Sequence, residues 1–454
     1  MLKCITFKNI LSFKNEVTFD LELYKKAKDD ILSRTFVKQN VNTVIEISKF
    51  ALVYGKNNSG KSNLLRIIHD TFRFIRNNQA HNSSPFERFG TQSELPIEIE
   101  LELINENTLY RYGFILNKLD EIHSEWLYAN INLSKTETMI FERFYDKADT
   151  LIINKTNFLK KFDVLMSKLN SDKLILSLLF NFEIPEIRGL VRAVANETSI
   201  FDIEKSVENN IPINQLDRFC NEPENLKTLN NMIRLFDTNI KELKIERVDQ
   251  ELTHQIEEVT RYIQELKQQD KKQKEISESI RERFGEETLT NLLTSLPSSY
   301  IIGQSSNDEV DNLAYSFKAT FNDSSKNVEY DIKFSDLSFG TRKLIVFLLN
   351  VLTAENGSVF LVDEIEHGFH KLLLNAFLNT LFKISHDRDI QFIFTTHEED
   401  LLDYEKISPE TKVVLNNEND SSITYISDYK TRTELKKSKR YISGAYLGVP
   451  NLKS

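Results

Sequence analysis

The fold of this chain is decided by one stretch of sequence, Gly55-Lys56-Asn57-Asn58-Ser59-Gly60-Lys61-Ser62. The stretch matches the pattern G-x-x-x-x-G-K-[ST], a glycine-rich loop whose backbone N–H groups cradle phosphates. An apolar segment over 45–54 precedes the loop, and an apolar-periodic segment over 61–77 follows it. This order predicts a buried strand, a phosphate-binding loop and an amphipathic helix.

The residue types within the loop predict separate chemical roles. Lys61 is expected to reach the β- and γ-phosphates of a nucleotide, and the Ser62 hydroxyl to bind Mg²⁺. The helix that begins here directs its positive end at the anion. The predicted nucleotide contacts are Gly55, Asn57, Asn58, Ser59, Gly60, Lys61 and Ser62.

A second candidate segment is Val359-Phe360-Leu361-Val362-Asp363-Glu364, in which four apolar residues end in two carboxylates. A buried strand with an acidic turn has the same pattern, but here the segment follows a P-loop in the chain. Asp363 is then predicted to complete the Mg²⁺ shell, as the acidic partner of a P-loop does. Glu364 is predicted to polarise the attacking water.

Two further segments contribute candidate residues. Ser338 and Gly340 lie ahead of a predicted helix, where a hydroxyl and free N–H groups suit an anion. A simple helix cap would have the same residues. The apolar strand predicted over 390–395 delivers His397 to the sheet edge near the γ-phosphate, so His397 joins Glu364 as a candidate catalytic residue.

The order of elements predicts an α/β fold with a mixed sheet and an antiparallel subdomain. Residues 97–103 alternate strictly between apolar and acidic, which predicts a meander with 109–117 and 122–129. After residue 297, continuously apolar strands alternate with helices, which predicts a parallel sheet. The predicted domains are 1–150, 151–296 and 297–454.

The middle domain, 151–296, is predicted to be a helical insertion. Helices are expected over 156–169, 173–181, 186–195, 204–209 and 225–236. In the long polar stretch 249–283, apolar residues follow alternating steps of four and three for about two heptads, which predicts a short coiled-coil seam. The seam residues are Leu252, Ile256, Val259, Ile263 and Leu266.

Composition indicates which binding partners and which cellular compartment to expect. The formal net charge of -10 argues against the global basic field of a nucleic-acid coat protein. The basic run over 430–440 is either a solvated helix face or a DNA contact. Cys4 and Cys220 show neither pairing nor metal-ligand spacing, so we expect a reducing cytoplasm. No apolar run approaches the length of a membrane span, and no membrane partner is expected.

Taken together, these motifs resemble the ABC-ATPase superfamily and, within it, the SMC/RecF-like branch. Residues 337–341 resemble the ABC signature, 365–370 resemble the D-loop, and His397 resembles the switch histidine. A narrower resemblance is to the AAA15/AAA21 group of OLD-like ATPases. It is carried by Asn9 to Lys14, Asp363 to Glu366 and Tyr441 to Pro450.

The resemblance implies a head-to-tail dimer with two ATP molecules held between the heads. One chain is expected to supply the P-loop, Asp363, Glu364 and His397, and the other to supply Ser338 and Gly340. ATP would then hold the dimer together, and hydrolysis would loosen it, as in other two-state devices. The implied cofactors are ATP and Mg²⁺.

The 57 residues after His397 are too few for the Toprim domain that OLD-family nucleases carry. We therefore expect that the chain does not cut nucleic acid by itself. Stand-alone members of the family commonly pair with a separate effector in two-gene anti-phage systems. The chain resembles first the ATPase of the Septu type, whose partner is an HNH nuclease, and second that of the PARIS type, whose effector is a Toprim protein.

Three functions follow as hypotheses. The first is an ATP-binding and ATP-hydrolysing sensor and scaffold of a bacterial defence complex, which controls a separate nuclease. The second is a RecF-like DNA-repair ATPase that binds DNA directly. The third, the nucleotide-binding subunit of an ABC transporter, is disfavoured because 151–296 is too polar and too long for the usual membrane-coupling subdomain.

Overall fold

The structure is a computed structural model in which part of the chain is described. The described residues are 1–24, 32–37, 44–77, 86–105, 107–133, 136–145, 151–195, 198–201, 216, 219–236, 239–247, 258–259, 261–262, 273–285, 300–304, 312–323, 328–367, 370–417, 420–429, 436–443 and 446. Within them, no helix is both long enough and apolar enough to cross a membrane.

The secondary structure alternates between strands and helices along the chain. The strands are β1 Leu2–Lys8, β2 Val17–Asp20, β3 Ser33–Val37, β4 Val44–Ser48, β5 Phe50–Gly55, β6 Ile97–Asn105, β7 Thr108–Leu116, β8 Ile122–Asn130, β9 Thr138–Tyr145, β10 Leu151–Lys155, β11 Thr198–Phe201, β12 Ile240–Arg247, β13 Tyr300–Gln304, β14 Asn312–Asp323, β15 Val328–Lys333, β16 Val359–Val362, β17 Gln391–Thr395, β18 Lys412–Asn417 and β19 Ser421–Tyr425. The helices are α1 Lys61–Asn77, α2 Asp163–Ser167, α3 Ile175–Leu179, α4 Arg188–Ala195, α5 Pro223–Arg234, α6 Gln273–Phe284, α7 Phe339–Thr353, α8 Lys371–His386 and α9 Lys437–Ile442.

The chain forms two compact units. The first comprises Met1–Asp202, Glu355–Glu366 and Leu381–Ser454, and the second comprises Ile203–Ala354 and His367–Thr380. Each unit is therefore assembled from segments that lie far apart in the sequence. The domain division at 150/151 and 296/297 stays a prediction.

The first unit contains a six-stranded sheet in the order β11-β16-β17-β5-β18-β19. Neighbouring strands from β11 to β18 run parallel, and β19 is antiparallel to β18. All of β5, β16 and β17 is buried, which explains why these strands are continuously apolar. Parallel strands end at one edge, so the loops after β5, β16 and β17 lie together there.

Helix α1 begins immediately after the P-loop and packs by its apolar face. The buried residues recur three and four positions apart, as an amphipathic helix requires, and include Leu64, Ile68, Phe72 and Ile75. Each such side chain contributes roughly 1.5–3 kcal/mol when it is fully buried. The predicted helix over 61–77 is confirmed.

A seven-stranded antiparallel sheet, β10-β9-β8-β7-β6-β1-β2, completes the first unit together with the β3–β4 hairpin. The predicted meander of β6, β7 and β8 is confirmed. The acidic side chains of β6 form cross-strand ion pairs, among them Glu98 with Lys8 at 2.9 Å and Glu102 with Lys3 at 2.7 Å.

The second unit combines an antiparallel sheet, β12-β14-β13 with β15 also paired to β14, with helices that include α5 and α7. Asn230 of α5 fastens the helix to β12, because its side chain donates to Leu243 O at 3.1 Å and accepts from Leu243 N at 2.6 Å. The rings of Phe347 and Phe377 pack edge to face with centroids 5.1 Å apart.

The fold class is the predicted one, an α/β fold with a mixed sheet and an antiparallel subdomain. Three local predictions differ from the structure. The single strand predicted over 45–54 is two strands, β4 and β5, which separate at Lys49 and join different sheets. The stretch 151–296, predicted to be helical, also contains β10, β11 and β12. The predicted helix 204–209 and all the seam residues except Val259 lie outside the described residues.

Candidate nucleotide-binding site

The P-loop conformation depends on its two glycines. Gly55 has φ +152° and Gly60 has φ +102°. A Cβ at Gly55 would lie 2.7 Å from Leu415 O, and a Cβ at Gly60 would lie 2.5 Å from Ser421 Oγ and 2.8 Å from Ser12 Oγ. Both positions therefore exclude a side chain, because real Cβ atoms do not approach other atoms so closely.

Two distant segments hold the loop from outside. Ser421, at the start of β19, donates its hydroxyl to Ser59 O at 2.8 Å, and its N–H donates to Ser12 O at 2.8 Å. The Ser12 hydroxyl in turn accepts from Asn63 Nδ2 at 2.9 Å. An N-terminal loop and a C-terminal hairpin thus clamp the turn between Ser59 and Gly60.

Lys61 folds back over its own loop. Its ammonium donates to Gly55 O at 2.9 Å and to Lys56 O at 3.2 Å. Burial lowers the pKa of Lys61, while the nearby carboxylates of Asp363 and Glu364 act in the opposite direction. A cation that burial destabilises and that the loop carbonyls hold in place is suited to receive an additional anionic ligand such as a phosphate.

The polar groups of the P-loop fit a triphosphate. The side chains of Asn57, Asn58 and Ser62 are exposed, and Asn58 has φ +61°, a backbone conformation that asparagine tolerates. The Ser59 hydroxyl is buried without a hydrogen-bond partner. Glycines that exclude a Cβ and a buried hydroxyl without a partner are features expected where a ligand closes against a loop.

The end of β16 positions two carboxylates at the same edge. Thr395 of β17 donates its hydroxyl to Asp363 Oδ1, and the same hydroxyl accepts from Glu364 N at 2.7 Å. Glu364 is exposed and has φ +47°. A non-glycine residue in this conformation costs of order 1–3 kcal/mol, and such strain concentrates at functional sites.

The loop after β17 contains His397 and contacts the segment that follows β16. His397 is exposed, and its N–H donates to Glu366 Oε1 at 2.6 Å. Thr396 donates its hydroxyl to Glu366 Oε2 at 2.7 Å, and its N–H donates to Val53 O at 3.0 Å. The first unit therefore brings the P-loop, both carboxylates and His397 to one edge of one sheet.

Ser338 and Gly340 lie in the second unit, at the beginning of α7. Ser338 is the N-cap, and its hydroxyl accepts from Thr341 N at 3.2 Å. The side chain of Ser338 is exposed, and Gly340 is half-buried. The ring of Phe339 packs edge to face on His367 with centroids 5.9 Å apart, which explains an aromatic residue at this position.

The C-terminal helix α9 also reaches the P-loop. The Tyr441 hydroxyl is hydrogen-bonded to the backbone of Gly55, and burial raises the pKa of this hydroxyl to about 12. The rings of Tyr441 and Tyr54 lie 5.8 Å apart. Lys437 N donates to Asp403 Oδ1 at 2.7 Å, which fastens the start of the helix.

Sequence reasoning did not predict several residues that hold this site. Ser12, Glu366 and Tyr441 lie in segments that carried the family resemblance, so a signal was present but had no assigned chemistry. Thr395 lies two residues before His397, at the end of the predicted strand. Ser421 has no local signal, because its contact to Ser59 spans most of the chain.

A buried parallel sheet with a P-loop after one strand and paired carboxylates after another defines a P-loop ATPase head. A family described as "AAA domain, putative AbiEii toxin, Type IV TA system" matches residues 50–403. This match spans well over half of the chain, and the chain belongs to this family. It is accordingly an ATPase of the AAA type, a type that binds ATP and typically Mg²⁺.

Two further comparisons accompany the family match. None of the curated proteins matches the chain. Among solved structures, the SMC head domain from Thermotoga maritima is similar over 93% of this chain and 98% of that chain, with 13% identity and a TM-score of 0.38.

Proposed function

We propose that the chain hydrolyses ATP at a site shared between two copies, and that this cycle controls a separate nuclease in a bacterial anti-phage defence complex. The observation that carries the shared site is the exposure of its parts. Ser338, which caps a helix, has an exposed side chain. The exposed side chains of Ser62, Glu364 and His397 leave the first half-site open to a second surface.

Each residue of the proposed site has a role that follows from its chemistry. Lys61 holds the β- and γ-phosphates, and Ser62 and Asp363 are suited to hold Mg²⁺. Mg²⁺, when bound, would offset the negative charge that develops on the phosphates. Glu364 polarises the attacking water, and His397 contacts the γ-phosphate. Ser338 and the first N–H groups of α7 offer hydrogen bonds to the same anion from the second copy.

A subunit-mixing experiment tests the shared site. Lys61→Ala and Ser338→Tyr chains, each inactive alone, are mixed, and phosphate release is measured. A mixed dimer has one site with both defects and one intact site, so activity returns if the site is shared. If Lys61 and Ser338 of the same chain contacted one nucleotide, every site in the mixture would carry a defect and the mixture would stay inactive.

Glu364→Gln tests the link between hydrolysis and dimerisation. The amide cannot accept a proton from water, but it preserves the size of the side chain and the P-loop. We expect turnover to fall on the order of 10²-fold, with a dimer that persists in ATP. Light scattering with ATP, with ADP and without nucleotide measures the mass, and Lys61→Ala is the monomeric control. Unchanged turnover would remove Glu364 from the mechanism.

The defence role is supported by the family description, which names a putative toxin of a type IV toxin–antitoxin system. We expect protection of bacteria against phage only when the chain is expressed with its neighbouring nuclease gene. The first choice for that gene is an HNH nuclease, and the second is a Toprim effector. Lys61→Ala should abolish that protection. Cleavage of DNA or RNA at catalytic rates by the purified chain alone with Mg²⁺ would contradict the proposal.

A second candidate is a RecF-like ATPase that binds DNA directly. The exposed side chains of Lys436, which directly precedes α9, and of Lys439, within α9, favour it. This function predicts that DNA stimulates ATP turnover and that the stimulation weakens with salt, because Lys–phosphate contacts release counterions. Lys436→Glu with Lys439→Glu should remove the stimulation and leave basal turnover unchanged.

A further inference from the structure

Glu366 joins the two segments that follow β16 and β17. Its carboxylate accepts from His397 N at 2.6 Å through Oε1 and from Thr396 Oγ1 at 2.7 Å through Oε2. The Thr396 hydroxyl also accepts from Glu398 N at 3.0 Å, and Thr396 is fully buried. One carboxylate thus fixes both the backbone of His397 and the residue before it.

We propose that Glu366 is a positioning residue that sets the orientation of His397 for ATP hydrolysis. The inference rests on the proposed function of His397 at the γ-phosphate. Glu366 does not need to touch the nucleotide, because its two oxygens are used by the histidine loop. It acts through the loop, as the partner that holds the His397 backbone in place.

Thr395 and Thr396 connect the segment before His397 to the segment after β16 through two separate hydrogen bonds. Side chains of consecutive residues in an extended segment point to opposite sides. Thr395 bonds to Asp363, and Thr396 bonds to Glu366, so the histidine segment is held to the carboxylate segment from both sides. A displacement of the segment at 363–366 is therefore transmitted to His397 without any contact to the bound nucleotide.

The chemistry of a carboxylate suits this task. An ionised Glu side chain only accepts hydrogen bonds, and both donors here, an amide N–H and a hydroxyl, match it. A glutamine could serve the His397 N–H through its carbonyl oxygen, but its amide nitrogen cannot accept from Thr396. Alanine removes both bonds and leaves the loop fastened through Thr396 N to Val53 O and through the Thr395 hydroxyl to Asp363.

The test is a double-mutant cycle of Glu366→Ala and His397→Ala. ATP turnover, nucleotide affinity by fluorescence and Tm are measured for both single variants and for the double variant. Thr396→Val and Thr396→Ser form a second pair that removes or keeps the hydroxyl at almost constant size. Glu399→Gln removes an acidic charge close to the same loop and is the control for general electrostatic effects.

We expect Glu366→Ala to lower kcat on the order of 10²-fold, the effect of misplacing a reacting group by about 1 Å. Nucleotide affinity should change by less than about threefold, and Glu366→Gln should be intermediate. The double variant should match His397→Ala, because residues that act as one unit are not additive. Thr396→Ser should retain the turnover that Thr396→Val loses.

Additive losses in the cycle, or wild-type kcat in Glu366→Ala, would overturn the inference. A loss confined to KM or to Tm would do the same, because it would indicate a structural role. Lys61→Ala, measured alongside, separates the two proposals. If Lys61→Ala retains turnover, the proposed site is wrong; if only Glu366→Ala retains it, the site stands and the positioning role fails.

Discussion

The P-loop edge of the first unit and the start of α7 in the second unit are held in different ways. At the P-loop edge, Lys61 bonds to loop carbonyls, Ser421 bonds across to Ser59, and Thr395 bonds to Asp363. At the start of α7, the hydroxyl of Ser338 bonds to Thr341 of its own helix. The first region is fixed by hydrogen bonds between distant segments, whereas the hydrogen bonds of Ser338 lie within the first turn of its own helix.

The largest expected effect falls on the first region. Lys61→Ala removes the cation that is proposed to hold the β- and γ-phosphates, and we expect turnover to fall by about 10²-fold to 10³-fold. Phosphate release and nucleotide binding measure the change. Lys118→Ala, which removes an exposed lysine paired with Glu94, is the control and should retain turnover. Equal activity of Lys61→Ala and the control would contradict the site.

Gly60→Ala should be the next most damaging change. Its φ of +102° is strained for alanine, and the new Cβ would lie 2.5 Å from Ser421 Oγ. The strain of roughly 1–3 kcal/mol corresponds to about a tenfold or greater loss of ATP affinity. Nucleotide titration measures it.

Gly90→Ala is the matched control, because no atom lies within 4 Å of a Cβ at that position. Adding Ser421→Gly to Gly60→Ala should restore only part of the affinity, because Ser12 Oγ remains 2.8 Å away. Full affinity in Gly60→Ala alone would mean that the loop is less constrained than its contacts indicate.

Ser338→Ala tests the second region and should have a smaller effect. It removes a helix cap of about 1 kcal/mol and the hydroxyl proposed to reach the nucleotide of a second copy. We expect turnover to fall about tenfold, while ATP affinity of the isolated chain is retained, since 1.4 kcal/mol is a factor of ten. Ser408→Ala removes a cap of the same kind in the first unit, where Ser408 Oγ accepts from Glu410 N at 3.2 Å. An equal loss of turnover in Ser338→Ala and Ser408→Ala would mean that Ser338 only caps its helix and does not contact the nucleotide.

The smallest expected effect is on stability, at Lys412 of β18, the strand that pairs with β5. Lys412 of β18 is fully buried and donates to Leu402 O at 2.8 Å and Tyr404 O at 2.6 Å. Burial lowers its pKa to about 7, whereas an unfolded lysine titrates near ~10.4. Between these values the unfolded chain binds more protons, so stability rises with pH, by at most about 1.4 kcal/mol per pH unit.

Lys412→Met should flatten that rise. Tm measured from pH 7 to 9 for both proteins gives the comparison, and ATP turnover at pH 7 should change little. Parallel Tm curves for the two proteins would show that Lys412 keeps its proton in the folded state across this range.

Much of the fold could be predicted because its signals are local. Helix α1 begins and ends at the predicted residues, Lys61 and Asn77, since the loop motif and the apolar periodicity both lie within one segment. The continuous apolar runs of β5, β16 and β17 reflect burial on both faces, which is a property of each strand by itself.

The strand β12 shows why other elements were missed. Its buried residues Ile240, Leu243 and Ile245 are spaced by three and then two, because a register shift lies between Ile240 and Glu242. A bulged strand therefore has a spacing close to that of a helix. The strand β11 pairs with β16, far away in the chain, and pairing of that kind leaves little trace in a short segment.

The sequence by itself determined which residues reach this edge of the sheet, namely the P-loop, Asp363, Glu364 and His397, because each motif places its residues on a predictable strand end. Only the tertiary structure decided what holds them there. Glu366 bonds to Thr396 across 30 residues and Ser421 bonds to Ser59 across 362, and no local pattern encodes hydrogen bonds of this kind. The assignment of Ser338 and Asp363 to different units was likewise decided by packing, since the two residues lie close in sequence.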